Sequence, residues 1–212
     1  MFIFLIIELT IGFSSITIVN LPRPFVSQKN KISLAKVSNI VSDWTILGFK
    51  VIMDFFHHNK AQYIYESTFD RDDWCLGVSN HQSWADILII LSASNYKMPN
   101  LRFFMKRELS WIPFVYLANK NLNMPFVNRH KKSEIQSDPN LRFVDYDITI
   151  KSCKRLRRAP STICSYAEGT RFTKKKHSLQ KSPYKNLLIP KIGGLATALS
   201  ALPEVKFLID FT

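Results

Sequence analysis

The chain has 212 residues, enough for one globular domain with a sizeable core plus a small appendage and too few for two ordinary domains. Its 46% hydrophobic and 21% charged residues exclude a disordered chain, while a formal net charge of +13 calls for an anionic partner: a phosphorylated substrate, an anionic lipid or a nucleic acid. Nucleic acid is the weakest of the three, because no nucleic-acid module signature is present and the aromatic residues fall in apolar stretches rather than among the basic ones.

Phe2 to Val19 is almost continuously apolar, interrupted by Glu8, and its roughly 20 residues match the thickness of a bilayer. No basic residue precedes it, as a cleavable signal peptide would require. Arg23, Lys29, Lys31 and Lys36 follow, which under the positive-inside rule leaves the rest of the chain in the cytoplasm. The same stretch also suits a buried core helix or a helix lying on a membrane surface. Pro22 and Pro24 end it, and an amphipathic helix is predicted over Leu34 to Phe55. Its stripe runs through Leu34, Val37, Ile40, Val41, Trp44, Gly48, Val51, Ile52 and Phe55, with Lys36, Asp43, Lys50 and Asp54 opposite. That stripe either packs on the domain or lies at a membrane interface with Trp44 at headgroup level.

A strand is predicted over Ala61 to Thr68 and another over Asp73 to Ser79, followed by Asn80-His81-Gln82-Ser83-Trp84-Ala85-Asp86 and a helix from Trp84 to Ser94. Inside one helix, five steps would set His81 and Asp86 about 140° apart, so His81 must precede the helix to meet Asp86. A carboxylate bonded to one ring nitrogen leaves the other free as a base. Ser83-x-x-Asp86 is equally a capping box, which accounts for both polar residues without chemistry.

Downstream, the pattern gives a strand at Leu101 to Met105, a helix at Lys106 to Asn119 containing Pro113, and a strand at Leu122 to Val127. A long helix opens at Asp138-Pro139 and runs to about Arg158. A strand at Ser161 to Tyr166 leads into Glu168-Gly169-Thr170-Arg171, where glycine permits a tight turn and arginine offers a fork suited to phosphate. Phe172 to Lys185 reads as a basic loop, Gly193 to Ala201 as a short helix and Val205 to Phe211 as a strand. Between Lys151 and Lys191 twelve Lys or Arg stand against the single acid Glu168, so this segment carries +11. The three cysteines, Cys75, Cys153 and Cys164, have no metal-ligand spacing, and a reducing compartment with no metal site is expected. Strands alternating with helices give an α/β fold.

The two motifs Asn80-His81-x4-Asp86 and Glu168-Gly169-Thr170-Arg171, in that order and both at strand ends, resemble those of the glycerophospholipid acyltransferase superfamily, the 1-acyl-sn-glycerol-3-phosphate acyltransferases. Lys106-Arg107-Glu108-Leu109 with Pro113, and Pro125-Phe126-Val127-Asn128-Arg129, resemble the block between them. The stretch Tyr166 to His177 is similar to the branch containing lysophosphatidate and lysocardiolipin acyltransferases, and a bacterial inner-membrane member is expected. Ala167 stands where many members have proline.

The resemblance implies a central mixed sheet flanked by helices over residues 59–212, preceded by membrane-associated helices over 1–58. It implies acyl transfer from an acyl-CoA or acyl carrier protein thioester to the sn-2 hydroxyl of a lysophospholipid, without a cofactor. His81 would be the general base and Asp86 its orienting partner. Glu168, Gly169, Thr170 and Arg171, with Arg129 and Lys106, would hold the glycerol phosphate. Relatives usually continue beyond the point corresponding to Thr212, so an incomplete C-terminus is expected, and with it an alternative: a non-catalytic membrane-surface protein that binds anionic lipid.

Overall fold

A computed structural model of the chain describes residues 1–57, 61–127, 132–157, 159–191 and 193–212. The apolar run forms helix α1 (Phe2–Val19), and α2 (Gln28–Phe56) follows a 3-10 turn at Arg23–Phe25, where two prolines forbid a continuous helix. α2 begins before its apolar stripe does, because the Ser27 hydroxyl accepts the Asn30 N–H at 3.4 Å and caps a polar first turn.

The two helices form an antiparallel hairpin whose close approach depends on glycine. A Cβ on Gly12 would stand 2.3 Å from Thr45 Oγ1, and one on Gly48 would stand 2.3 Å from Glu8 Oε1. Glu8, the one acid of the apolar run, thus rests against the bare backbone of α2. Near the turn, Asn20 Nδ2 donates to Ser38 Oγ at 2.7 Å.

Polar residues fasten this hairpin to the rest of the chain. Arg71 and Asn100 donate to the two oxygens of Asp43 at 2.8 and 2.7 Å, and Arg102 donates to Asn39 Oδ1 at 2.5 Å. Asp43, expected on the outer polar side of α2, is therefore buried. The apolar stripe instead turns largely outward: Val37, Ile40, Trp44, Val51 and Phe55 are all exposed. A charge is stable indoors only when partnered, and this network supplies the partners.

The remainder comprises β1 (Cys75–Ser79), α3 (Ala85–Ser94), β2 (Leu101–Phe103), β3 (Met105–Lys106), α4 (Pro113–Asn121), β4 (Phe126–Val127), α5 (Lys132–Ser137), α6 (Leu141–Leu156), β5 (Thr162–Tyr166), α7 (Lys174–Gln180), α8 (Gly193–Ala201) and β6 (Phe207–Phe211). The main sheet has the order β2-β5-β1-β6, with β3 and β4 paired separately. The α/β layering is as expected, and where a mixed sheet was expected every described pairing is parallel. Such strands are covered on both faces, which is why Cys75, Leu76, Gly77 and Ser79 are all buried. Leu76 and Ile163 pack with Cys153 and Leu156 of α6 and Ala198 of α8 on one face, while Ile90 of α3 meets Leu101 and Cys164 on the other.

Several local expectations are corrected. Ala61 to Thr68 forms no strand; Ile64 lies open to solvent and Tyr65 instead donates its hydroxyl to Ala93 O at 2.6 Å. The strand expected through Met105 divides at Phe104, and that expected from Leu122 contracts to β4. Pro113 starts α4 rather than sitting inside a helix, since its ring suits the first helical position. The helix expected from Asp138 begins at Leu141, with Asp138 Oδ1 accepting the Asn140 N–H at 3.0 Å. The basic segment expected as a loop contains α7, started by Thr173 Oγ1 accepting the Lys176 N–H at 3.2 Å.

Candidate active site

The register of β1 on β5 builds the site. Ser79 pairs with Tyr166, and the Ala167 N–H donates to Ser79 O at 3.0 Å, carrying the ladder one step past the strands. His81 and Glu168 each lie just beyond that point and so meet at the carboxyl edge of the sheet, where open α/β sheets place their ligands. Gly169 then turns the chain in the left-handed region at φ 68°. The Phe172 N–H returns to His81 O at 2.7 Å, tying the two loops together.

At the start of α3 the Asp86 carboxylate meets the imidazole, with Asp86 Oδ2 2.9 Å from His81 Nδ1. The same oxygen accepts the main-chain N–H of Gln82 at 2.7 Å and of Ser83 at 2.9 Å. Capping and orienting therefore coexist in one carboxylate. Burial pushes the Asp86 carboxyl up, but the hydrogen bonds from His81, Ser83 and Gln82 outweigh it and hold it below its ordinary value. With Nδ1–H given to Asp86, His81 Nε2 carries the lone pair a base needs. Ser83 Oγ donates to Asp86 Oδ1 at 3.1 Å and accepts the Ala85 N–H at 3.0 Å, so this hydroxyl serves the helix start.

Glu168 is buried, and both of its oxygens are engaged by main chain: Oε1 accepts the His81 N–H at 3.1 Å and Oε2 the Leu188 N–H at 2.8 Å. Its carboxylate clamps the His81 loop to the segment after α7. Arg171 lies with its guanidinium 5.0 Å above the Trp84 ring. Lys176 Nζ donates to Thr170 Oγ1 and to Arg171 O, both at 2.8 Å, fixing that turn from α7.

The structure thus brings together His81, Asp86, Glu168, Gly169, Thr170 and Arg171. Lys106 is exposed at the end of β3, just past the carboxyl end of β2, and among the described residues no hydrogen bond joins it to this group. Arg129 lies outside the described residues.

Two aromatic residues went unnoticed in the sequence. Tyr166 stacks on His81 with ring centroids 4.0 Å apart and planes 16° from parallel, and Trp84 underlies Arg171. Tyr166 stands two positions before Glu168 on the partner strand of β1, so a knowledge of strand pairing would have found it; Trp84 had only its place within the first motif to mark it. Burial raises the Tyr166 phenol well above its ordinary range, so its ring is a neutral wall beside the imidazole. The three cysteines are buried thiols, Cys75 pushed up to about 11 and Cys153 and Cys164 to about 12 by burial, which leaves them without a nucleophilic thiolate near neutrality. Among the described residues no group of three His, Cys, Asp or Glu side chains converges as metal ligands do.

Among solved structures, the chain is similar to the 1-acyl-sn-glycerophosphate (LPA) acyltransferase PlsC of Thermotoga maritima, at 22% identity and a TM-score of 0.49, over 91% of this chain and 68% of that one. No curated protein is significantly similar in sequence. The model of the acyltransferase family matches residues 60–200, well over half of the chain and all of the site just described, and the chain belongs to that family.

Proposed function

We propose that this acyltransferase moves a fatty acyl chain from an acyl thioester to the sn-2 hydroxyl of a lysophospholipid, with 1-acyl-glycerol-3-phosphate as the acceptor. The observation that carries the reading is the His81–Asp86 contact at 2.9 Å, which leaves Nε2 as the free nitrogen at the edge of the sheet. Nε2 takes the proton of the acceptor hydroxyl as that oxygen attacks the thioester carbonyl carbon. Asp86 steadies the imidazolium that results. Collapse of the tetrahedral adduct breaks the carbon–sulfur bond, and the imidazolium returns its proton to the departing thiolate. The products are an ester and a free thiol, with no acyl-enzyme and no cofactor in the sequence of steps.

In this reading Arg171, lying over the Trp84 ring, presents a guanidinium to the glycerol phosphate, with Lys106 and Arg129 as further cations. Gly169 and Thr170 shape the turn that carries Arg171. Acyl-CoA or an acyl carrier protein supplies the thioester. Residues 1–58 seat the chain on the cytoplasmic face of the membrane and residues 59–212 perform the chemistry. The exposed apolar residues Ile3, Ile7, Ile18, Ile40, Trp44 and Val51 on the hairpin support that seating, together with the length and hydropathy of α1.

The test is thiol release from acyl-CoA by purified membranes carrying this chain, with 1-acyl-glycerol-3-phosphate as acceptor, for wild type and His81→Ala. Acceptor-dependent release that disappears in the variant is expected. No release from folded wild type, with acyl carrier protein tested as a second donor, would overturn the reading.

A further inference from the structure

A cleft of about 1040 Å³ opens between the end of α1, α4 and α6, away from the catalytic loop: none of His81, Asp86, Glu168 or Arg171 lines it. Six cations do, namely Arg23, Lys31, Arg107, Lys120, Lys151 and Arg155, and among the described residues no acidic side chain joins them in its lining. So many like charges around one concavity repel each other, and low-dielectric walls focus their potential inward. An anion seated there would relieve that repulsion.

The cleft is held open by contacts that use some of these groups structurally and leave others to face outward. Arg23 donates to Asn121 O and to Asn123 Oδ1, both at 3.1 Å, bracing the end of α1 against the end of α4. Ser152 Oγ donates to Phe126 O at 3.0 Å and accepts from Arg155 Nη2 at 3.2 Å, which points that guanidinium across α6. Lys120, Lys151, Arg107 and Arg155 are exposed. The remaining wall is mixed, with Leu21, Leu117 and Ile148 beside the polar Thr17, Asn20 and Ser110.

Position decides which anion fits. The cleft lies at the polar end of the apolar α1, and next in the chain to its lining residues Pro24 and Ser110 come Phe25, 90% exposed, and Trp111, 88% exposed. Exposed aromatics beside cations at the end of an apolar helix mark headgroup level in a bilayer. We infer that this cleft is a second, non-catalytic phosphate site that takes the headgroup of an anionic phospholipid, with its acyl chains running along the exposed face of α1. The inference rests on the membrane seating proposed above and is independent of the acyl-transfer chemistry.

The test uses the full chain and its His81→Ala variant, floated with phosphatidylcholine vesicles with and without phosphatidylglycerol. Lys120→Gln/Lys151→Gln/Arg155→Gln empties the cleft of three charges, and Lys174→Gln/Lys175→Gln/Lys181→Gln removes the same charge from the exposed surface around α7. Generic attraction weakens both variants alike, since each basic residue near an anionic surface contributes similarly. The cleft predicts a loss of affinity for phosphatidylglycerol vesicles about tenfold larger in the first variant than in the second. It also predicts that Lys120→Arg/Lys151→Arg/Arg155→Lys retains binding.

Equal losses in the two neutralised variants, or a charge-keeping variant as weak as the Gln variant, would overturn the site. Titration of inorganic phosphate, followed by hydrogen exchange in α4 and α6, forms the other arm. Phosphate protection lost in the cleft variant without a matching loss on vesicles would assign the cleft to a free ion and overturn the lipid headgroup. Failure of the wild-type chain to bind either vesicle would overturn the membrane seating and this inference together, whereas acyl transfer is read separately by thiol release.

Discussion

Glu168 holds His81 by its main chain: the buried carboxylate accepts the His81 N–H at 3.1 Å with one oxygen and the Leu188 N–H at 2.8 Å with the other. This residue of the second motif, which the family resemblance implies holds the acceptor, thus has both carboxylate oxygens bonded to main chain. In Glu168→Gln the side-chain amide turns a donor toward one of those N–H groups and leaves it unsatisfied, at a cost of about 1–3 kcal/mol. Thermal melting should show that loss. If Glu168 acts by positioning, kcat falls while the KM for acceptor holds; a rise in KM alone would return Glu168 to the phosphate.

Asp86 sets a pH dependence whose sign follows from its hydrogen bonds. Its folded carboxyl is held below the ordinary 3.8, so its contribution to stability is present above the unfolded value and is lost as pH falls through the folded one. Acid unfolding of wild type should steepen below about pH 4, and that part of the curve should vanish in Asp86→Asn. The same variant should lose about 10²–10⁴-fold in kcat, because the charge opposite the imidazolium is gone. An Asp86→Asn enzyme of wild-type kcat would leave the carboxylate with helix capping alone.

How much of this was legible varies with how local each feature is. His81 and Asp86 could be found because a strand, a turn and a helix start follow one another within a few residues, and the geometry of five helical steps forbids any other way for them to meet. The direction of Glu168 could not, because it depends on Ser79 facing Tyr166, a register set by strands far apart in the chain. The stripe on α2 is amphipathic as the periodicity predicts, and of the two facings left open by the sequence it takes the outward one. The network of Asp43, Arg71 and Asn100 draws the polar side of α2 inward, and periodicity is blind to which side is buried. α7 was missed because its basic sequence has no apolar period, although Thr173 supplies the cap.

The hairpin offers a test at Gly12. A Cβ there would stand 2.3 Å from Thr45 Oγ1 and 3.0 Å from Thr45 Cβ, so Gly12→Leu must force α1 away from α2. Overpacking of this kind costs about 1–3 kcal/mol. Limited proteolysis in detergent micelles should cut between α1 and α2 sooner in this variant, with the His81 site unaffected in its melting. Unchanged proteolysis would mean that α1 is not held by this contact.

Arg171 and Trp84 give the sharpest separation of binding from chemistry. The guanidinium lies 5.0 Å above the indole, and a cation over such a ring is worth about 0.5–2 kcal/mol. Trp84→Ala should release the arginine and raise the KM for acceptor by up to about tenfold, since 1.4 kcal/mol is a factor of ten. Arg171→Lys keeps the charge and loses the fork that grips two phosphate oxygens, so its KM should rise at least as far. In neither variant does His81 lose Asp86, so kcat at saturating acceptor should stay within a few-fold of wild type. The double variant completes a cycle: if Trp84 acts through Arg171, removing it from Arg171→Ala adds nothing further to KM. Additive effects would show instead that Trp84 meets the acceptor or the acyl chain by itself.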